Sequence, residues 1–92
     1  MVVHAHVDSS EIRVGGPRFG LVVSKAVGDS VTRHRVSRRL RHVAGSLLAE
    51  LDDDLLVVIR ANPASVSATH SELLRDLRSG LASAVTRARE SS

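Results

Sequence analysis

Residues 23–41 read VSKAVGDSVTRHRVSRRLR, and this stretch is the most informative part of the sequence. An extended apolar segment runs into a corner at Gly28, after which Asp29 or Ser30 can cap a helix. The helix is predicted to run to about Ala49. Its apolar residues recur at spacings of four, three and four, which places one stripe on one side: Val36, Leu40, Val43 and Leu47.

The same helix carries a dense group of arginines. Five lie within nine residues: Arg33, Arg35, Arg38, Arg39 and Arg41. At 100° per residue, the side opposite the apolar stripe holds His34, Arg35, Arg38, Arg39, Arg41 and His42. Such a cluster repels itself unless a polyanion neutralises it, so the pattern predicts phosphate binding. The alternative is a solvated helix face that happens to be rich in arginine.

Composition limits the classes of protein that fit. With 92 residues, of which 42% are hydrophobic, the chain is expected to form a single domain over residues 1–92 around a small aliphatic core. The chain has no cysteine, which excludes disulfides and thiolate metal sites and fits a reducing cytoplasm. No signal-peptide pattern and no apolar run near 18 residues occur, so neither a membrane nor a lipid partner is expected.

Two strands are predicted before the helix. Residues 2–7 alternate, with His4 and His6 on the face opposite the apolar residues. Residues 8–17 contain a Gly-Gly-Pro breaker and predict a hairpin-like connection whose second arm begins near Ile12. Residues 18–25 form the second strand, in which Gly20 suggests a bulge or a close backbone approach.

A third strand and a second helix follow. Residues 51–54 predict a solvated acidic turn, and the apolar run 55–59 predicts a central strand covered on both faces. A helix is expected over 67–88, with Thr69 and Glu72 as a capping box and a fraying tail RARESS. Its stripe is Leu73, Leu77, Leu81 and Val85, flanked by Leu74, Ala84 and Ala88. The order of the elements along the chain is strand, strand, helix, strand, helix. It predicts an α+β sandwich in which the strands 18–25 and 55–59 are parallel neighbours.

The basic stretch resembles the signature of the bacterial ribonuclease P protein component, S-K-x-x-G-N-A-V-x-R-N-R-x-K-R-x-x-R. The residues that match it in register are Ser24, Lys25, Gly28, Val31, Arg33, Arg35, Arg38 and Arg41. Asp29 and His34 stand where the family has asparagine, and Ser37 stands where it has lysine. The resemblance covers roughly residues 18–85.

The resemblance implies a fold and a set of contact residues. The fold would be a ribosomal protein S5 domain 2-like α/β sandwich with a left-handed βαβ crossover, although the general rule gives a right-handed one. The residues implied to bind RNA are Lys25, Arg33, His34, Arg35, Arg38, Arg39 and Arg41. Phe19, the one aromatic residue, fits either the core or a contact with the tRNA leader. Family members place a helix and a basic segment ahead of the first strand, whereas this sequence starts almost at that strand. It is therefore expected to be a fragment, a sequence with a misassigned start, or a protein that lacks the helix.

The implied function is that of the RNA-binding protein subunit of an endoribonuclease. The partners would be the catalytic RNA and precursor tRNA, with Mg²⁺ expected on the RNA and no cofactor on the protein itself. The alternative is a small basic protein, regulatory or architectural, that binds duplex nucleic acid. A major-groove reader usually places a short helix after a helix-turn, whereas here the helix follows a strand and a glycine corner.

Other candidate sites are weak. His4 and His6 can share a metal, but no third ligand stands at a recognisable spacing. Asp52, Asp53 and Asp54 are consecutive, and consecutive turn residues seldom converge on one Mg²⁺. The sequence shows no Ser-His-Asp order or carboxylate pair typical of an independent nuclease, so the chain is not expected to catalyse cleavage alone.

Overall fold

The computed structural model describes residues 1–7, 18–52 and 54–91. The strands are β1 Val2–Val7, β2 Arg18–Val23 and β3 Leu55–Ala61, and the helices are α1 Ser30–Leu48 and α2 His70–Ser91. Single 3-10 turns, Lys25–Val27 and Pro63–Ser65, lie after β2 and after β3. The connection predicted over residues 8–17 and the predicted turn residue Asp53 lie outside the described residues.

The three strands form one mixed sheet in the order β1-β3-β2. β3 pairs antiparallel with β1, where Val3 lies opposite Ile59, and parallel with β2, where Leu21 lies opposite the same residue. β1 and β2 therefore do not pair with each other, because β3 separates them. The most apolar strand takes the centre, where its side chains are best buried. The predicted parallel β2-α1-β3 unit is confirmed, while its hand stays a prediction.

The corner before α1 is fixed by two residues. Gly28 has a φ of 153°, and a Cβ there would lie 3.0 Å from the Thr32 Cβ. Asp29 then caps the helix, since its Oδ1 accepts a hydrogen bond from the Thr32 backbone N–H at 2.8 Å. That bond holds the pKa of the Asp29 carboxyl below its ordinary value. The predicted start of the helix is confirmed, and its end at Leu48 differs by one residue.

Both helices pack on one face of the sheet. The predicted stripe of α1 is confirmed, because its four residues are buried against the alternate residues of β3. In α2 the stripe continues through Ala84 and Ala88, while Val85 is only half-buried. Residues four positions apart are rotated by about 40° around the helix axis, so a series of such steps turns away from the core. A step of three residues, here from Leu81 to Ala84, brings the stripe back to the core. No helix among the described residues has both the length and the apolar character needed to cross a membrane.

In the described parts of the chain, neither helix covers the opposite face of the sheet, which we call the open face. Leu56 and Val58 of β3 are only half-buried, and Val22 is 40% exposed. The prediction that both faces are covered is therefore wrong. A Cβ on Gly20 would meet no atom within 4 Å, and the β2–β3 register runs without interruption. The expected bulge or close approach at Gly20 is also wrong, since this glycine faces the open side.

The ends of α2 are held by polar contacts. The capping box is confirmed: Thr69 Oγ1 accepts from the Glu72 backbone N–H at 3.1 Å, and Glu72 Oε1 accepts from the Thr69 N–H at 2.9 Å. At the other end, Arg89 donates to Asp54 at 2.6 Å and to Asp52 at 2.9 Å. The tail is therefore helical to Ser91 rather than frayed, and these two aspartates are paired rather than only solvated.

Gly80 allows α2 to lie close to β1. A Cβ at this position would sit 2.8 Å from Val3 Cγ2 and 3.3 Å from Val3 Cβ. Val3 is β-branched and 9% exposed, so it has little room to move. We expect Gly80→Ala to lower the free energy of unfolding by about 1–2 kcal/mol, because overpacking outweighs the gain in helix propensity.

Urea denaturation measures this effect, and Val3→Ala provides the matched control. If the clash is the cause, Gly80→Ala in the Val3→Ala background should be neutral or stabilising. A Gly80→Ala variant as stable as the parent chain would show that α2 and β1 are farther apart than described.

Candidate nucleic-acid interface

The side of α1 turned away from the sheet forms an open groove that reaches the start of α2. We call it the basic groove. Its lining residues are Val31, His34, Arg35, Arg38, Arg39, Arg41, His42 and His70. Among the described residues that line it there is no aspartate or glutamate. The groove is therefore a cationic surface able to bind anions.

Four of the predicted contact residues lie fully on this surface. His34, Arg35, Arg38 and Arg41 are exposed, as their position opposite the apolar stripe requires. Arg41 Nε lies 3.4 Å from the hydroxyl of Ser37, one helical turn earlier. Their guanidinium groups offer several N–H donors each, a geometry that suits phosphate oxygens.

Arg39 also lines the groove but has a second role. It is half-buried, and its guanidinium donates to the backbone carbonyls of Val66, at 3.5 Å, and Ala68. These bonds tie the segment that precedes α2 to the middle of α1. The helical wheel places Arg39 at the edge of the exposed arc, and it gives no sign of partners 27 and 29 residues away.

Arg33 and Lys25 do not line the basic groove. Counting 100° per residue, Arg33 lies about 20° from Leu40 around the axis of α1, on the packed side. It is half-buried, and its Nε is buried without a hydrogen-bond partner in the described parts of the chain. Lys25 is exposed in the 3-10 turn that precedes Gly28. The structure thus separates these two from the other five predicted contact residues.

Phe19 lies in β2 on the face of the sheet that the helices cover. It is half-buried, pairs with Val57 in the parallel ladder and packs against the core. The interpretation of Phe19 as a core residue is therefore favoured by the structure. Its contact with a tRNA leader stays a prediction.

Sequence reasoning missed one residue of the groove and left a second out of the site. His70 is the first residue of α2, and its ring centroid lies 5.9 Å from that of His42. The wheel places His42 on the exposed arc, but the signature does not include it. Nothing local in the sequence indicates that His70 lies beside α1, because that contact depends on the path of the chain between β3 and α2.

The acidic residues near the two helix starts are engaged with the backbone. Asp29 accepts from the Thr32 N–H and Glu72 from the Thr69 N–H, and these bonds hold the pKa of each carboxyl below its ordinary value. In residues 1–7, 18–52 and 54–91, no group of three His, Asp or Glu side chains is placed to hold a metal ion. The arrangement favours anion binding through positive charge.

Comparison with known proteins identifies the family. The family model described as Ribonuclease P matches residues 1–85. The ribonuclease P protein component of Nocardia farcinica is 60% identical over 72 residues, which cover 78% of this chain and 46% of that protein. The Rhodococcus erythropolis protein component is 47% identical over 85 residues, which cover 88% of this chain and 68% of that protein. The chain thus spans about half to two thirds of the length of these relatives.

Solved structures show the same fold. The Staphylococcus aureus RNase P protein matches with a TM-score of 0.71 at 22% identity, over 89% of this chain and 72% of that one. The Thermotoga maritima RNase P protein matches with a TM-score of 0.67 at 14% identity, over 84% and 72%. These matches confirm the predicted α+β fold. Together with the match of the family model over residues 1–85, they place this chain in the family of bacterial ribonuclease P protein components.

Proposed function

We propose that this chain is the RNA-binding protein subunit of ribonuclease P and binds RNA through the basic groove. The observation that carries the proposal is the groove itself: four arginines and three histidines line it without a carboxylate, in a chain of this family. Its partners are the catalytic RNA and precursor tRNA. The holoenzyme removes the 5′ leader by hydrolysing a phosphodiester bond, and it works in the cytoplasm.

The contribution of the protein is electrostatic. Where a catalytic RNA meets a substrate RNA, phosphates crowd together, and cationic side chains reduce their repulsion and release counterions. Arg35, Arg38 and Arg41, with His34 beside them, contact these phosphates. Mg²⁺, if held by the RNA partner, would supply the metal chemistry for phosphodiester hydrolysis, while the residues of this chain bind and screen the phosphates.

The remaining predicted residues have supporting roles. Arg39 keeps the segment before α2 in place and so shapes the groove. Lys25 lies at the corner before α1 and extends the cationic surface beyond the groove. Arg33 reaches the surface from the packed side of α1, where its buried Nε leaves only the end of the guanidinium for RNA.

We expect the purified chain to cleave nothing alone and to assist a cognate catalytic RNA. Mixed with the ribonuclease P RNA of Nocardia farcinica, whose protein component is 60% identical, and with precursor tRNA, it should accelerate cleavage at the mature 5′ end when Mg²⁺ is low. The gain should shrink as Mg²⁺ or salt rises, because those ions then screen the phosphates instead. Gel analysis of the cleavage rate over a Mg²⁺ series measures both effects.

Two results would contradict the proposal. Cleavage of precursor tRNA by the purified chain without any RNA partner would show that the protein carries catalytic groups. Tighter binding to a duplex DNA of one sequence than to precursor tRNA would favour the duplex-binding alternative.

A further inference from the structure

Two histidines from different helices meet at one end of the basic groove. His42 lies on α1 and His70 begins α2, and their ring centroids are 5.9 Å apart with the ring planes tilted by 54°. Both residues are exposed. Neither imidazole has a hydrogen-bond partner among the described residues. The nitrogens of both rings are thus free to bind a ligand.

The position of this pair is fixed by the fold. Arg39, three residues before His42, donates to the carbonyls of Val66 and Ala68, immediately before α2. The capping box of Thr69 and Glu72 then sets the first turn of α2, in which His70 lies. The backbone on both sides of the pair is therefore held before any ligand arrives.

The charges around the pair select an anion. From α1 the groove presents His34 and its four arginines, of which Arg38 and Arg39 lie one turn before His42. From α2, His70 is the only described residue that lines it. The nearest carboxylate along α2, Glu72, is turned to the Thr69 N–H. A cation is disfavoured here, whereas a phosphate group meets donors from both helices.

We propose that His42 and His70 form a phosphate-binding subsite that extends the RNA-binding surface from α1 onto α2. The ligand is a backbone phosphate of the RNA, held by N–H donors of both rings beside Arg38. This inference rests on the proposed function, since it adds a contact to the same surface. The family signature does not include either histidine.

A subsite built on two histidines makes part of the RNA affinity depend on pH. A histidine side chain in water changes charge at about pH 6.5. A phosphate partner raises the pKa of a histidine in the complex. The affinity added by such a contact is therefore fully present at a pH below the histidine pKa of the free protein. It is lost as the pH rises through the histidine pKa of the complex.

The test compares the full chain with the His42→Gln/His70→Gln variant, since glutamine is polar and does not titrate. The probe is the Nocardia farcinica ribonuclease P RNA, and filter binding gives the affinity at pH 5.5 and pH 8.0. The matched control is His4→Gln/His6→Gln, which removes two exposed histidines of β1 on the open face of the sheet. Titratable groups of the RNA contribute equally to the pH dependence of binding measured with each of the three proteins.

The parent chain and the control should bind about tenfold more tightly at pH 5.5 than at pH 8.0, since one unit of raised pKa corresponds to a factor of ten. The His42→Gln/His70→Gln variant should lose most of that gain. At pH 5.5 the slope of log affinity against log salt concentration should be smaller for this variant by about one unit, which corresponds to the loss of a single phosphate contact. Circular dichroism at both pH values checks that every variant is folded.

A nuclear magnetic resonance titration provides a second readout. The chain has five histidines, so their ring protons can be assigned with single variants. Addition of the RNA should shift the ring-proton resonances of His42 and His70 and leave those of His4 and His6 unchanged. Equal pH dependence of binding in the parent and the His42→Gln/His70→Gln variant would overturn the subsite alone. Absence of RNA binding at both pH values would overturn the proposed function as well.

Discussion

Arg35→Ala combined with Arg38→Ala is expected to weaken RNA binding by about 10- to 50-fold near physiological salt, because two phosphate contacts are lost. Each lost contact should flatten the slope of log affinity against log salt by about 0.9. Both side chains are exposed on the side of α1 opposite the core, so the domain should stay folded. Filter binding over a salt series, with circular dichroism beside it, measures both quantities.

The matched control removes the same charge elsewhere. Arg78 and Arg87 are exposed on α2, and neither lines the basic groove. Arg78→Ala combined with Arg87→Ala should therefore change the salt slope much less. If both double variants weaken binding equally, net charge rather than the groove determines affinity. An unchanged slope and affinity in the Arg35→Ala/Arg38→Ala variant would place the RNA on another surface.

Leu40→Ala is expected to lower the free energy of unfolding by about 2–5 kcal/mol. Leu40 has no exposed surface and lies at the centre of the α1 stripe, so truncation leaves a cavity against β3 and α2. A loss of this size is a large fraction of the stability of a small domain. Urea denaturation measures it, and a stabilising salt such as sulfate keeps the variant folded at the start of the titration.

Val31→Ala is the matched control for Leu40→Ala on the same helix. Val31 is 69% exposed, so its truncation should change stability by less than about 0.5 kcal/mol. If Leu40→Ala is as stable as the parent chain, α1 does not bury the side described here, and the assignment of the groove to its other side fails with it.

Structural features were predicted correctly from the sequence wherever they depend on residues close together along the chain. Asp29, Thr69 and Glu72 are capping residues whose partners lie within three positions, so their hydrogen bonds follow from spacing. The stripe of α1 follows from helical periodicity, and the apolar run of β3 indicated a central strand correctly.

Prediction failed where a partner is distant along the chain. The bonds of Arg39 to the Val66 and Ala68 carbonyls, and of Arg89 to Asp52 and Asp54, depend on how β3 and α2 return across the sheet. The order of the strands has the same origin, since β1 and β2 are consecutive in sequence but flank β3. A helical wheel treats all arginines of α1 alike. The path of the chain determines which of them hold the protein together and which are available to a ligand.

The pairing of β1 has a consequence for the order of folding during synthesis. Val2 pairs with Arg60, and Val3 packs against Gly80 of α2, so the partners of β1 are made long after β1 itself. It must wait on the ribosome until β3 and α2 have emerged, whereas β2, α1 and β3 follow one another and can associate earlier. We expect β1 to dock after β2, α1 and β3 have associated, which leaves one edge of β3 unpaired in the nascent chain until α2 has emerged.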